Sequence, residues 1–238
     1  MSFLDHLKHS TFIPSKDDVT AFLDHRLATV GTSLADIGDD ILTAAFLRSE
    51  ARFRTVRLKS FTLDEGRSAL FNAFNYSAHC LLLYQLAREC FLAGETDLAE
   101  RLYFLNIATT SADLFYEVDL PLRLACDHPL ASVIGRGRFT EAASLLFMQS
   151  CTIGGNETKD GSLNYPEIAG NLIMHADASV IGRTRIEGTV VLAKGAYLKD
   201  AGTVRDVIAF GTPPNNGFKN LTEEEAARFL RFAAPPSD

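Results

Sequence analysis

From Ile168 to Phe210 an apolar residue falls on every sixth position: Ile168, Met174, Val180, Ile186, Leu192, Leu198, Val204 and Phe210. An α-helix repeats every 3.6 residues and a plain strand every two, so neither produces this beat. A six-residue period is the mark of a hexapeptide β-helix, in which each hexad supplies one short strand and a turn, and stacked coils bury a continuous core. Two residues before six of these positions, from Val180 on, stands a small or branched residue: Ala178, Thr184, Val190, Ala196, Gly202 and Ile208. At 47% hydrophobic residues, eight apolar positions in a row in any of the six registers would arise by chance in roughly one chain in 70. The second phase of small residues makes chance rarer still.

The helical signal lies elsewhere. Ser15 with Asp18 three residues later marks an N-cap, Val19, Phe22, Leu23 and Leu27 follow helical spacing, and Gly31 ends the segment. A second helix is expected over about Asp39 to Phe53. A long one is expected from Asp64 to Ala93, with Leu70, Phe74, Ala78, Leu81 and Leu82 on one face. A fourth starts near Thr96 and carries Leu98, Leu102, Leu105 and Ile107. After about Val118 the composition changes to Val, Ile, Gly and Thr. Val118, Leu124 and Leu130 keep the six-residue beat, which slips at Val133-Ile134. The polar run from Asn156 to Tyr165, between Gly154-Gly155 and Pro166, reads as a loop extruded from one coil. Gly211 to Asn216 stops the repeat, and Thr222 with Glu225 forms a capping box for a short helix with Ala226, Phe229 and Leu230 on one side. The tail Pro235-Pro236-Ser237-Asp238 is expected to fray.

The expected architecture is therefore α+β in chain order: an all-α helical N-terminal domain (1–116), a left-handed parallel β-helix (117–216), and a C-terminal helix and tail (217–238).

The 238 residues carry a net charge of −7, which disfavours a general nucleic-acid binder. The one basic cluster, Arg48, Arg52, Arg54, Arg57 and Lys59, reads as a solvated helix face or an intersubunit surface. Four scattered cysteines without a CxxC motif fit reduced thiols in the cytoplasm. The start shows no cationic segment followed by an apolar one, and no run of about 18 apolar residues exists, so neither a signal peptide nor a membrane span is expected. No His/Cys/Asp cluster has metal-ligand spacing, and no metal is expected.

Several segments resemble the serine O-acetyltransferase family of hexapeptide acyltransferases. Phe147-Met148-Gln149-Ser150-Cys151-Thr152-Ile153-Gly154-Gly155 resembles the family's LQSVTLGG coil, and Phe115 to Pro121 its FQVDIHP strand. Asp127-His128 falls where the family has its Asp-His pair. Ala209 to Pro214 resembles the closing GVPA, and Ala78 to Tyr84 the FHALQAY helix. The resemblance covers about residues 65–216. It implies an acetyl-CoA-dependent O-acetyltransferase, a homotrimer or dimer of trimers with active sites between neighbouring coils, and a small hydroxylated acceptor, L-serine or another amino acid or small alcohol.

The departures matter as much. The family's loop carries an Arg-His-Pro element that helps hold the carboxylate of serine; here the stretch is Leu163-Asn164-Tyr165-Pro166, and the bidentate clamp that suits a carboxylate is missing. The spacing from Asp119 to His128 is one hexad shorter than the family's. Met174 to Ala178 replaces a Gly-Ala-Gly-Ala turn along the acyl-CoA groove. The chain ends in Asp238 rather than the isoleucine with which family members dock on cysteine synthase, so that partnership is not expected.

Acetyl transfer to a hydroxyl needs a base, donors for the oxyanion and a groove for the long thioester chain. Histidine suits the first, since its ordinary pKa lies near neutrality. The resemblance points to His128 as base, with Asp127 or Asp119 orienting its ring or accepting a hydrogen bond from the acceptor. Gly154 and Gly155 are candidate backbone contacts to the thioester arm, because glycine admits a ligand close to the chain. Ala176, Ala193 and Lys194 fall where the family lines its pantetheine channel, with Lys194, Lys199 or Arg205 placed for the phosphates. Gln149, Asn164 and Tyr165 are candidate acceptor contacts. His175 is the second candidate base, and His79 is expected to be a packed helix residue. Cys126 and Cys151 read as core residues, not nucleophiles. Two other readings stay open: a catalytically degenerate homologue with a structural or regulatory role, and an acyltransferase with an amine acceptor.

Overall fold

The computed structural model describes residues 3–64 and 68–233. The chain forms two compact units, Met1–Ser111 with Phe232–Asp238, and Ala112–Arg231.

In the first unit, Ser15 caps helix α1 (Lys16–Ala28), its hydroxyl accepting from the Asp18 N–H at 3.1 Å. Helices α2 (Asp39–Thr55), α3 (Tyr76–Leu92) and α4 (Thr96–Thr110) follow. The expectation of an all-α unit and of a helix running from Asp64 is corrected here. Ser68–Asn72 is a strand, β3, parallel to β1 (Ser10–Ile13) and antiparallel to β2 (Thr62–Leu63). Leu70 does fall at helical spacing, but Ala69, Leu70 and Phe71 are all buried in this small sheet. Asn75 then starts α3 by accepting from the N–H groups of Ser77 and Ala78 at 3.0 and 3.2 Å. The stretch of the expected helix at 65–67 lies outside the described residues, as does the tail from 234.

Aromatic rings fill this core: Phe46, Phe53 and Phe61 are fully buried, and Phe71 lies 5.4 Å from Phe46 and 5.2 Å from Phe53 between ring centroids. On α4 the inward residues are Ala99, Leu102, Leu105 and Asn106, while Ile107 faces outward. The Asn106 amide donates to the Cys80 carbonyl at 3.0 Å, and that cross-helix bond sets the face of α4 turned to α3. The basic cluster is also not uniform. Arg48 and Arg57 are exposed, but Arg52 is buried, donating to Gln85 Oε1 at 2.8 Å beneath the Tyr84 ring.

The second unit is a parallel coil with three faces. One face stacks β4 (Asp113–Leu114), β6 (Val133–Ile134), β9 (Thr152–Gly154), β14 (Ser179–Ile181) and β16 (Tyr197–Lys199). The second stacks β7 (Arg138–Phe139), β12 (Glu167–Ile168) and the first halves of β15 (Thr184–Leu192) and β17 (Gly202–Phe210). The third stacks β5 (Arg123–Cys126), β8 (Ser144–Phe147), β13 (Asn171–Met174) and the second halves of β15 and β17. Asn171 pairs with Thr189, Ser179 with Tyr197 and Thr184 with Gly202, each 18 residues on, so three hexads make one coil. Ser144 pairs with Asn171, 27 residues on, because the loop at Asn156 is extruded between them as a hairpin of β10 (Asn156–Glu157) and β11 (Leu163–Asn164).

All seven hexad residues from Ile168 to Val204 are buried. Phe210 is not, at 48% exposed. The pairing shifts after Glu187 so that Val190 meets Val207, 17 residues on, and Ala209 takes the inward place beside Leu192. Leu130 also departs, at 48% exposed, because His128 and Ala131 take left-handed backbone angles and turn the chain early; Ile134 is inward instead. An antiparallel strand, β18 (Gly217–Asn220), covers the second half of β17, and a Thr222–Glu225 capping box starts α5 (Glu223–Phe229).

Candidate functional site

Three faces leave three corners, and the expected site residues divide between two of them. The first corner joins the third face to the first. Here the turns lie one above another through backbone hydrogen bonds. Ser150 donates to the Leu130 carbonyl at 2.8 Å, Asp177 to Gln149 at 3.0 Å, Gly195 to Ala176 at 2.9 Å, and Ala193 to Ala209 at 2.9 Å. His128, Gln149, Ala176, Ala193 and Lys194 are thus aligned along one edge. His128 takes a left-handed φ of 54°, and its side chain is 66% exposed, with Nε2 at 3.6 Å from Asp127 Oδ1. That separation exceeds a hydrogen bond and leaves a charge interaction, present when the ring is protonated. His175 sits on the same edge above Gln149, its N–H donating to Leu192 at 3.0 Å. The buried Cys151 thiol donates to the His175 carbonyl at 3.2 Å, and burial pushes that thiol's pKa up, which suits packing rather than nucleophilic attack.

The second corner joins the first face to the second, and holds a cavity of about 540 Å³ lined by Glu117, Asp119, Arg136, Arg138, Asn164 and Tyr165, among others. That volume is in the range of small-molecule sites. The β10–β11 hairpin forms one wall. Thr158 and Ser162 brace its tip, their hydroxyls bonding the Asp160 carboxyl and holding its pKa down to about 2. Gly155 starts the hairpin, and a Cβ there would lie 2.6 Å from Tyr165 Cε1, so the ring rests on bare backbone. Gly154 accepts from the Gly182 N–H at 3.0 Å. The structure therefore brings Asp119, Gly155, Asn164 and Tyr165 to one corner and His128 to another.

The arginines of the cavity were not among the residues singled out from the sequence. Arg136 Nη2 lies 2.8 Å from Glu117 Oε2, with its guanidinium over the Phe115 ring. Arg138 stands beside Glu167 in the strand register, but Glu167 pairs instead with Arg185. The only trace in the sequence is Arg136-Gly137-Arg138 in the stretch where the hexads lose their beat.

His79, in the first unit, is a packed residue. It is 9% exposed, edge-on to Phe22, with Nε2 lacking a hydrogen-bond partner. Burial, helped by the nearby Arg26 charge, lowers its pKa to about 4. Among the described residues no cluster of three or more His, Cys, Asp or Glu side chains is disposed to hold a metal ion, and no helix is long and apolar enough to cross a membrane.

A helical unit joined to a three-faced parallel coil defines the class of fold. Solved structures that match this chain include serine acetyltransferases. The enzyme from Neisseria gonorrhoeae superposes with a TM-score of 0.63 at 19% identity, over 88% of this chain and 82% of that one. The Vibrio cholerae enzyme gives 0.65 at 16% identity over 90% and 83%. The Brucella abortus enzyme in complex with coenzyme A gives 0.60 at 19% identity over 88% and 84%. At these identities the likeness is one of fold. No protein-family model and no curated sequence matches the chain.

Proposed function

We propose that this chain is an acetyl-CoA-dependent O-acetyltransferase, its coil a left-handed β-helix, acting as a homotrimer or a pair of trimers on a small hydroxylated acceptor. The observation that carries the reading is the first corner: His128 heads an edge of stacked turns through Gln149, Ala176 and Ala193-Lys194, in the fold of an enzyme solved with coenzyme A. The long thioester chain lies along that edge, with the exposed Lys194 side chain meeting its phosphates. His128 takes the proton of the acceptor hydroxyl, the oxygen attacks the thioester carbonyl, the C–S bond breaks, and the imidazolium returns its proton to the thiolate. Asp127 supports the imidazolium. Asp119, Asn164 and Tyr165 hold the acceptor. In this reading Gly154 and Gly155 contact the thioester arm through their backbone, and Gln149 contacts the acceptor.

His128 and Asp119 stand on different corners of one chain, and an oligomer that sets one copy's first corner against another's second corner completes the site. The same separation favours the competing reading, a catalytically silent relative. Thiol release from acetyl-CoA by purified protein, with L-serine and then a panel of small alcohols and amines, decides between them. Release with one acceptor that vanishes in His128→Ala establishes the transfer and its base. Turnover unchanged in His128→Ala moves the base to His175.

A further inference from the structure

We infer that the first unit carries an anion site of its own: a cavity beyond the C-terminal end of α2, in which Arg57 and Lys59 receive the phosphate of a small amphiphilic ligand. The inference is independent of the transfer chemistry assigned to the coil. It starts from the basic stretch of the sequence. From Ala51 to Leu63 the chain holds Arg52, Arg54, Arg57 and Lys59 and no acid, in a protein of net charge −7. The structure gives these cations different surroundings. Arg52 is buried and donates to Gln85. Arg54 lies in the last turn of α2, where a cation offsets the helix dipole, and its Nε is buried without a hydrogen-bond partner. Arg57 and Lys59 follow the end of the helix, are exposed, and make no ion pair with any described residue.

Nor do these two cap the helix, because the carbonyls at that end are already taken. The Arg52 carbonyl accepts from the Thr55 hydroxyl at 2.8 Å, the Thr55 carbonyl from the Ala233 N–H at 2.7 Å, and the Val56 carbonyl from the Thr62 hydroxyl at 3.1 Å. Both cations instead line a cavity of about 630 Å³, shared among the described residues with Leu58, Thr62, Leu63 and Asp64. That volume is in the range of small-molecule sites. The turn that carries Arg57 and Lys59 is fixed. The Leu58 carbonyl accepts from the N–H groups of Phe61 and Thr62 at 2.9 and 3.2 Å, and the Asn75 amide donates to the Ser60 carbonyl. The Phe61 ring is fully buried, 5.3 Å from that of Phe53. The two charges therefore stand on a backbone ordered before any ligand arrives, so little ordering remains for binding to impose.

Two cations on one cavity repel each other, and a dianion between them relieves that repulsion. A phosphate monoester carries close to that charge at neutral pH. The guanidinium fork matches two of its oxygens and the ammonium a third. The organic part of the ester then meets Leu58 and Leu63, where burying apolar surface adds to the affinity. The carboxylate of Asp64 lines the same space and opposes anions, so it limits how tightly phosphate alone is held.

The test is calorimetric titration of the full chain with phenyl phosphate, inorganic phosphate and phenol, which separate the anionic from the apolar part of the ligand. Phenyl phosphate is expected to saturate one site per chain, about 10-fold more tightly than inorganic phosphate, with phenol giving no saturable signal. Replacing both cations, Arg57→Gln with Lys59→Gln, should weaken phenyl phosphate about 10- to 100-fold, as expected for charge-assisted bonds. Asp64→Asn should tighten it about 2- to 5-fold; asparagine suits the left-handed φ of 50° at that position. Lys194→Gln, on the coil, should leave it unchanged, which separates this cavity from the edge proposed for coenzyme A. A melting curve checks that each variant is folded. No saturable binding, equal binding of the two phosphates, binding that survives loss of both cations, weaker binding in Asp64→Asn, or binding that falls in Lys194→Gln would each overturn the assignment. None of these outcomes bears on thiol release, so the site and the transferase reading fail separately.

Discussion

The two occupied corners of the coil are built from the same repeat and carry opposite kinds of equipment. The first is a plain ladder of turns. Most of its hydrogen bonds are between backbones, and it carries the two candidate bases, the exposed His128 and His175. The second has its repeat broken by a hairpin, and is lined by five charged side chains and an aromatic ring. A regular ladder suits a long flexible ligand that needs a continuous edge. An interrupted one suits a compact ligand that needs walls. The contrast teaches that insertion, not the repeat, is where a solenoid acquires a pocket. The third corner carries neither: there a Cβ on Gly170 would lie 2.3 Å from the Gly188 carbonyl, and the turns are simply pressed together.

The largest expected effect breaks the first corner. His128→Ala should lower kcat for thiol release by about 10²–10⁴-fold with the melting temperature unchanged. Co-expressing His128→Ala with Asp119→Ala chains then sharpens the comparison. If the corners of neighbouring copies share a site, about a quarter of the sites in a random mixture regain both groups, and activity reappears; a mixture as inactive as its parts would mean that the corners do not cooperate.

Next comes the third corner as a control. Gly170→Ala should cost about 2–4 kcal/mol of stability by overpacking, read as a fall in the denaturation midpoint, while acetyl-CoA and acceptor affinities of the folded protein stay the same. The helical unit bounds the pH range of all such assays. Folding lowers the His79 pKa from 6.5 to about 4, so the unfolded chain binds the extra proton first. Stability from this group is complete above pH 6.5 and is lost as pH falls toward 4, by roughly 3 kcal/mol. His79→Gln should flatten that part of the stability profile in denaturant titrations, and a pH–rate profile for His128 is best read above it. The smallest effect is at the second corner. Gly155→Ala must displace the Tyr165 ring, which should raise the acceptor KM about 10-fold. An unchanged acceptor KM would show that this wall does not touch the acceptor.

The coil was legible because burial there follows a count. Ile168 through Val204 point inward on the beat, and the polar run from Asn156 reads directly as the hairpin. Phe210 and Leu130 escaped because one coil is a residue short and one turn comes early, changes of backbone that leave no mark on composition. Strand β3 escaped because Leu70 and its neighbours satisfy helical spacing as well as strand alternation, and only pairing with Ser10–Ile13 decides between them. Among the candidate site residues, those on the first corner follow from the repeat, since hexads fix which turns align. Arg136 and Arg138 do not. Their part in the cavity depends on which carboxylates are already taken, Glu117 by Arg136 and Glu167 by Arg185, and those pairings cross from one coil to the next.

A parallel coil is a polymer in miniature, and nothing in its repeat says where to stop. Its last rung offers the same unpaired amides that the rung below offered to it, an open invitation to another chain. Here the growing end is terminated. The final coil drops one residue, the chain reverses, and Gly217–Asn220 lies antiparallel along Val207–Phe210. The Asn216 amide closes over the neighbouring Tyr197 carbonyl at 2.9 Å. On this face the reversal is a chain terminator in the polymer chemist's sense: it occupies the edge of β17 to which a further coil would add.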